Sequence, residues 1–211
     1  MSKNLSDTLQ LYAAHSITII FHPLFIPAYG LLIMFETPTL FSYLPLQVKK
    51  ILMLILLINN VLLPVAILPF LRYRNIINSW VMETNKERII PLLLVSILYT
   101  ITSFLIMRLS VPVLIKAYFY SISFLMIAIL VITLWYKISI HAAGAGALTG
   151  LVTVLWIVME ENLIWFLIPV ILISGLILTA RLFLNSHTAG QVYSGYLVGF
   201  AIVTSVLLCI K

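Results

Sequence analysis

Apolar residues run along this chain in blocks of about 20, separated by short polar gaps, and a block of that length carries a helix across the hydrocarbon core of a bilayer. The blocks predict seven helices, at SITIIFHPLFIPAYGLLIMF (16–35) and at about 51–71, 89–107, 117–136, 141–159, 163–180 and 188–210. Strands of a transmembrane barrel would alternate apolar and polar residues in runs of about 10, and these blocks do not alternate. The first block holds Pro23 and Pro27 and is expected to kink or to be re-entrant. The second holds the pair Asn59 and Asn60, expected to make interhelical hydrogen bonds. The pattern therefore predicts an all-α, polytopic transmembrane helical bundle of six to seven spans. Residues 1–15 read as a polar N-terminal segment, too polar for the core of a signal peptide. Residues 16–211 read as a single bundle, without linker, low-complexity tract or internal repeat.

Composition agrees. The 211 residues are 63% hydrophobic and 9% charged, against about 25% charged in a soluble domain. The net charge of +6 does not suggest nucleic acid as a partner; in a membrane protein it marks cytoplasmic loops or a site for anionic headgroups. The single cysteine, Cys209, excludes a disulfide framework and a cysteine metal cluster. No cofactor and no metal are expected.

Parity gathers the remaining polar chemistry at one end. The gaps between spans two and three, four and five, and six and seven open on the same face and hold TNKERIIP (84–91), KISIHAAGAG (137–146) and ARLFLNSHTAG (180–190). Lys86, Arg88, Lys137, Arg181, His141 and His187 therefore share a face, each near the start or end of a helix, with Glu83 and Glu87 the only carboxylates there besides Asp7. On a raw count Lys3, Arg72, Arg74, Lys86, Arg88, Lys137 and Arg181 on this face outnumber Lys49, Lys50, Arg108, Lys116 and Lys211 on the other, which points to the cytoplasm. If Lys86, Arg88, Lys137 and Arg181 are there to bind a ligand, the balance reverses.

A helix start attracts anions, and the guanidinium fork matches phosphate oxygens in pairs. Two histidines add chemistry: a neutral imidazole can attack phosphorus and a second can donate a proton to the leaving oxygen. His187 and Gln191 are four apart, so on one helix face the amide holds the ring. Gly195 and Gly199 continue that face and admit a neighbouring helix, and Gly144, Gly146 and Gly150 are expected to serve packing too. Arg181 is six residues before His187, so the turn LNS (184–186) must break the helix for both side chains to reach one ligand. Ser139 and Ser186 are placed to cap the helix starts. His15 and His22 read as structural, and Arg72 and Arg74 as membrane-edge residues.

These residues resemble the type 2 phosphatidic acid phosphatase family of integral membrane lipid phosphatases, whose motifs are K-x6-R-P, P-S-G-H and S-R-x5-H-x3-D. Arg181, His187 and Gln191 reproduce R-x5-H-x3, followed by VYSG. Ser139 and His141 keep two positions of the second motif, with Ile138 and Ile140 in place of proline and glycine. Arg88 precedes Pro91 by three, and Val81 stands where the first motif has lysine. The likeness, to a divergent bacterial branch, covers roughly residues 84–200. It implies a metal-independent lipid phosphatase in which His187 is the nucleophile and forms a phosphohistidine. His141 would protonate the leaving group, and Gln191 stands in for the orienting carboxylate. Arg88 and Arg181, with Lys86 or Lys137 and with Ser139, would hold the phosphoryl oxygens. The implied partners are the membrane and a lipid phosphate: undecaprenyl diphosphate, phosphatidylglycerol phosphate or phosphatidate. The implied location is the bacterial inner membrane, with the site facing the periplasm. The alternative is a catalytically degenerate relative that binds lipid phosphate as a scaffold or carrier. A transporter is disfavoured by the lack of an inverted repeat.

Overall fold

The computed structural model describes residues 5–77 and 84–210; Lys3, Val81, Glu83 and Lys211 lie outside the described residues. All regular structure among these residues is helical: α1 (Leu5–Ile20), α2 (Ile26–Glu36), α3 (Leu46–Leu57), α4 (Leu63–Tyr73), α5 (Asn85–Met107), α6 (Val113–Thr133), α7 (Ile140–Met159), α8 (Ile164–Phe183) and α9 (Ala189–Cys209), with a short 3-10 turn at Leu40–Tyr43. A π-turn over Ile58–Leu62 joins α3 to α4, so Leu46–Tyr73 is one span and six helices are long and apolar enough to cross a membrane. The π-turn has a local cause. Pro64 lacks an N–H, and its ring crowds the carbonyl of Asn60 four residues back, so the helix widens there. The Asn60 side chain is buried in the widened turn and accepts a 2.6 Å hydrogen bond from the Thr102 hydroxyl on α5, the interhelical contact its polarity suggests.

The first apolar block does not make a seventh span. It splits into the end of α1 and the short α2, with a break over residues 21–25. Pro23 forces the break, because the residue before a proline is driven out of the helical region. Pro27 then sits in the first turn of α2, where its missing N–H costs nothing. α1 also begins inside the segment read as a polar tail and runs through residue 15.

α7 is the centre of the bundle, with Ala142 through Val152 all buried. Its partner is α9, and the two backbones touch. A Cβ built on Gly199 lands on the Ala143 carbonyl oxygen, and one on Gly146 on that of Tyr196; one on Gly195 comes 2.6 Å from the Ser139 carbonyl oxygen. The Ser139 N–H donates across this seam to the Gln191 carbonyl at 3.1 Å. The seam thus lays the starts of α7 and α9 side by side. Large apolar side chains such as Leu62, Phe104, Phe124, Leu172 and Leu197 cover the outside, as a lipid-facing surface requires. Exposed Tyr73 and Trp135 mark the end where α7 and α9 start, and Tyr43 and Trp165 the opposite end, the positions of aromatic belts.

Gly199→Ala is expected to destabilise the bundle by about 1–3 kcal/mol, because backbone and not a side chain must yield. Thermal unfolding in detergent reads this as a lowered midpoint. Gly175→Ala is the control: its Cβ meets nothing within 4 Å, and the midpoint should hold or rise.

Candidate functional site

Four helix ends build the site. At the start of α5 the Thr84 hydroxyl caps by accepting from the Glu87 N–H at 3.4 Å, and Arg88 follows one residue later, 9% exposed. At the start of α7 the Ser139 hydroxyl accepts from the Ala142 N–H at 3.4 Å, and His141 stands in the first turn. α8 ends with Arg181 in its last turn. Asn185 then takes a left-handed conformation, φ 48°. The N–H of Asn185 bonds the Leu182 carbonyl at 2.9 Å and that of Ser186 the Arg181 carbonyl at 3.3 Å. This double closure ends a helix sharply, so Arg181 and His187 are freed from a common helix register, as their spacing demands. Ser186 does not cap α9, because α9 begins only at Ala189. Thr188 caps instead.

That cap sets the chemistry of His187. Thr188 and Gln191 form a reciprocal capping box. The Thr188 hydroxyl accepts from the Gln191 N–H at 3.4 Å, and Gln191 Oε1 accepts from the Thr188 N–H at 3.2 Å. The Thr188 N–H can only donate, so the amide is turned with its oxygen toward it. The same Oε1 lies 3.1 Å from His187 Nδ1. An amide oxygen only accepts, so the ring proton belongs on Nδ1 and Nε2 is left with a bare lone pair. The T-x-x-Q pattern at 188–191 is legible in the sequence as a helix-start signature; its second use, fixing the tautomer of the preceding histidine, is not.

A cavity of about 730 Å³ opens beside these ends. Arg88, His141, Arg181 and His187 all line it, together with His15 and His22 of the N-terminal segment. It continues between α4, α5 and α6 along Pro64, Leu68, Leu92, Val95, Tyr99 and Met126. From Arg88 to Tyr99 this arm follows α5 for about 16 Å at 1.5 Å per residue. No carboxylate is among the described lining residues, and the Arg181 Nε–H is buried without an acceptor. Three expected phosphate ligands do not line the cavity. Ser139 is fully buried and committed to its cap, Lys86 is exposed, and Lys137 is partly buried to the side. The reason is helix rotation: the loops bring these residues near, but the α5 and α7 faces that meet the cavity carry Arg88 and His141. Among the described residues no group of three His, Cys, Asp or Glu is placed to hold a metal ion.

No family model, curated protein or solved structure matches the chain. The chemistry must therefore be read from the geometry and the motifs themselves.

The charges act on His187. Burial first, and then the Arg88 guanidinium, hold its pKa far below the ordinary histidine value, at about 4; the Gln191 bond opposes this, while Arg181 and Lys137 add to the lowering. The ring is neutral at neutral pH and gains a proton only as pH falls through the acid range. His22 was read as structural, but it lies at the charged end of the cavity. It lines that cavity, and burial followed by the Arg181 charge lowers its pKa too. The missed signal is the dipeptide His22–Pro23, which places the histidine at a forced helix break.

Nitrogen NMR of histidine-labelled protein in detergent should show His187 as the Nδ1–H tautomer, titrating near pH 4. Arg88→Ala should move that midpoint up toward about 6.5, since it removes a positive neighbour and admits water. An unchanged midpoint would mean that Arg88 does not face the ring.

Proposed function

We propose that this integral membrane protein is a metal-independent lipid phosphatase that cleaves a phosphate monoester or diphosphate on a lipid, with His187 as nucleophile. One observation carries the reading: a neutral imidazole with a bare Nε2 shares a cavity with two arginines, no carboxylate is among that cavity's described lining residues, and its arm between α4, α5 and α6 is mostly apolar. An oxyanion supplies an acceptor for the buried Nε–H of Arg181, and a hydrocarbon chain fits the arm between α4, α5 and α6. The substrate class is therefore an amphiphile with a phosphorylated head, such as phosphatidate, phosphatidylglycerol phosphate or undecaprenyl diphosphate. It enters sideways from the bilayer.

In the reaction the Nε2 lone pair attacks phosphorus as the bond from phosphorus to the leaving oxygen breaks. Arg88 and Arg181 stabilise the charge on the phosphoryl oxygens. His141, as the general acid, passes a proton to the leaving oxygen, then takes one from the water that hydrolyses the phosphohistidine, releasing phosphate. Gln191 holds the Nδ1 proton and supplies no charge. A carboxylate there would add about 1–2 kcal/mol to the transition state, or about 5–30-fold in rate. The motif resemblance carries the assignment to the type 2 phosphatidic acid phosphatases and to the periplasmic face of a bacterial inner membrane. Charge is neutral on sidedness: with Arg88 and Arg181 given to the site, Lys3, Arg72, Arg74, Lys86 and Lys137 face Lys49, Lys50, Arg108, Lys116 and Lys211.

Wild-type protein in detergent should release phosphate from at least one of the three lipid phosphates with EDTA present. His187→Ala should release none while still binding the lipid, because both arginines remain. Binding without release by the wild type would identify a lipid-phosphate carrier instead. Activity lost to EDTA and restored by magnesium would overturn the histidine mechanism.

Gln191→Glu should match or exceed wild-type turnover at neutral pH, and Gln191→Leu should fall well below it while the protein stays folded. A leucine variant with wild-type turnover would show that the amide does not orient His187.

A further inference from the structure

Three histidines converge at the charged end of the cavity, and one of them belongs to none of the phosphatase motifs. The His22 ring stands edge-on to His141, with centroids 5.6 Å apart, and edge-on to Phe25 at 6.5 Å. The helix break at Pro23 also bends the chain so that the Leu24 N–H reaches back to His22 Nδ1, a long bond of 3.4 Å. A backbone N–H only donates, so Nδ1 is the acceptor and the proton of the neutral ring is on Nε2. Nε2 makes no bond to any described residue, and His22 lines the cavity beside Arg88, Arg181 and His187. His141 is held differently: its Nε2 lies 3.3 Å from the Thr18 carbonyl of α1.

We propose that His22 is a third phosphate-binding side chain of this site, donating from Nε2–H to a phosphoryl oxygen. The inference rests on the lipid phosphatase reading and extends it to a residue outside the three motifs. The ring is oriented by the Leu24 N–H and by its edge-on contact with His141, so part of the rotamer cost of forming the bond is already met. Unlike the arginines it adds a donor without adding a charge. That suits a cavity lined by two guanidiniums and, among the described residues, by no carboxylate. His22 and His187 then play opposite parts through opposite tautomers: Nδ1–H leaves His187 a lone pair for phosphorus, and Nε2–H gives His22 a proton for an oxygen. The donor is positioned by α1 and the break at 21–25, so the N-terminal segment becomes part of the binding site.

The test uses the full chain in detergent with nitrogen-labelled histidine. Its four histidines are assigned by single substitution, and inorganic phosphate and then a phosphatidate are the probes. The free protein should show His22 as the Nε2–H tautomer, and its Nε2 signal should move with the same midpoint as the His187 signals. Movement with both probes supports recognition of the phosphoryl group itself; movement with phosphatidate alone supports recognition of the lipid headgroup. Two variants separate donor from packing. His22→Gln keeps an N–H donor near the Nε2 position and should bind within about threefold of wild type. His22→Asn reaches only the Nδ1 position and should bind about tenfold more weakly, the loss of one hydrogen bond to a charged group. A His22 signal that stays still while His187 moves overturns the proposal and leaves the phosphatase reading intact. So does an asparagine variant that binds like wild type, or a glutamine variant as weak as asparagine. If neither probe moves any histidine and no lipid phosphate is hydrolysed, the phosphatase reading falls and this inference with it.

Discussion

The seam between α7 and α9 is the contact on which the site depends. Lipid tails are as apolar as leucine, so helices in a bilayer gain little from burying apolar side chains against one another, and close backbone approach takes over. Here Gly146, Gly195 and Gly199 let two backbones meet where any side chain would collide with a carbonyl. The result is a fixed register. The first turn of α7 lies against the first turn of α9, tied by the Ser139 N–H to the Gln191 carbonyl. His141 and His187, 46 positions apart in the chain, are thereby presented to the same cavity.

Against this rigid pair the cavity carries an electrostatic imbalance. Two arginines reach it, no described carboxylate lines it, and the Arg181 Nε–H is buried with no acceptor. Charged side chains in a membrane protein are kept at a cost of several kcal/mol unless they are paired or functional. The buried Nε–H of Arg181, with no acceptor among the described residues, carries such a cost. Burial, and after it the charge of Arg88, keeps His187 neutral.

The N-terminal segment connects the two halves of this picture. Its prolines stop the first apolar block from crossing the membrane. α1 is then left lining the cavity mouth through Leu11, His15 and Thr18, and His22 stands at the break. A feature that reads as a defect in a span thus supplies part of the cavity lining.

What the sequence determines by itself is local. Twenty-residue apolar blocks become helices because a backbone in lipid must satisfy its hydrogen bonds within the segment, and their parity places three motif-bearing gaps on one face. The six-residue step from Arg181 to His187 demands a helix break, and Asn185 supplies it. Ser139 as a cap is equally legible. The rest depends on how helices are rotated against one another, which no local pattern encodes. Tertiary structure alone leaves Lys86 and Lys137 off the cavity lining and buries Ser139 in its cap. It also carries His22 more than a hundred positions along the chain to the ring of His141. It aims the amide oxygen of Gln191 at His187 as well, because that orientation depends on where the Thr188 N–H points once the turn is built. Composition and spacing name the chemistry that a chain has available; only packing decides which side chains share a ligand.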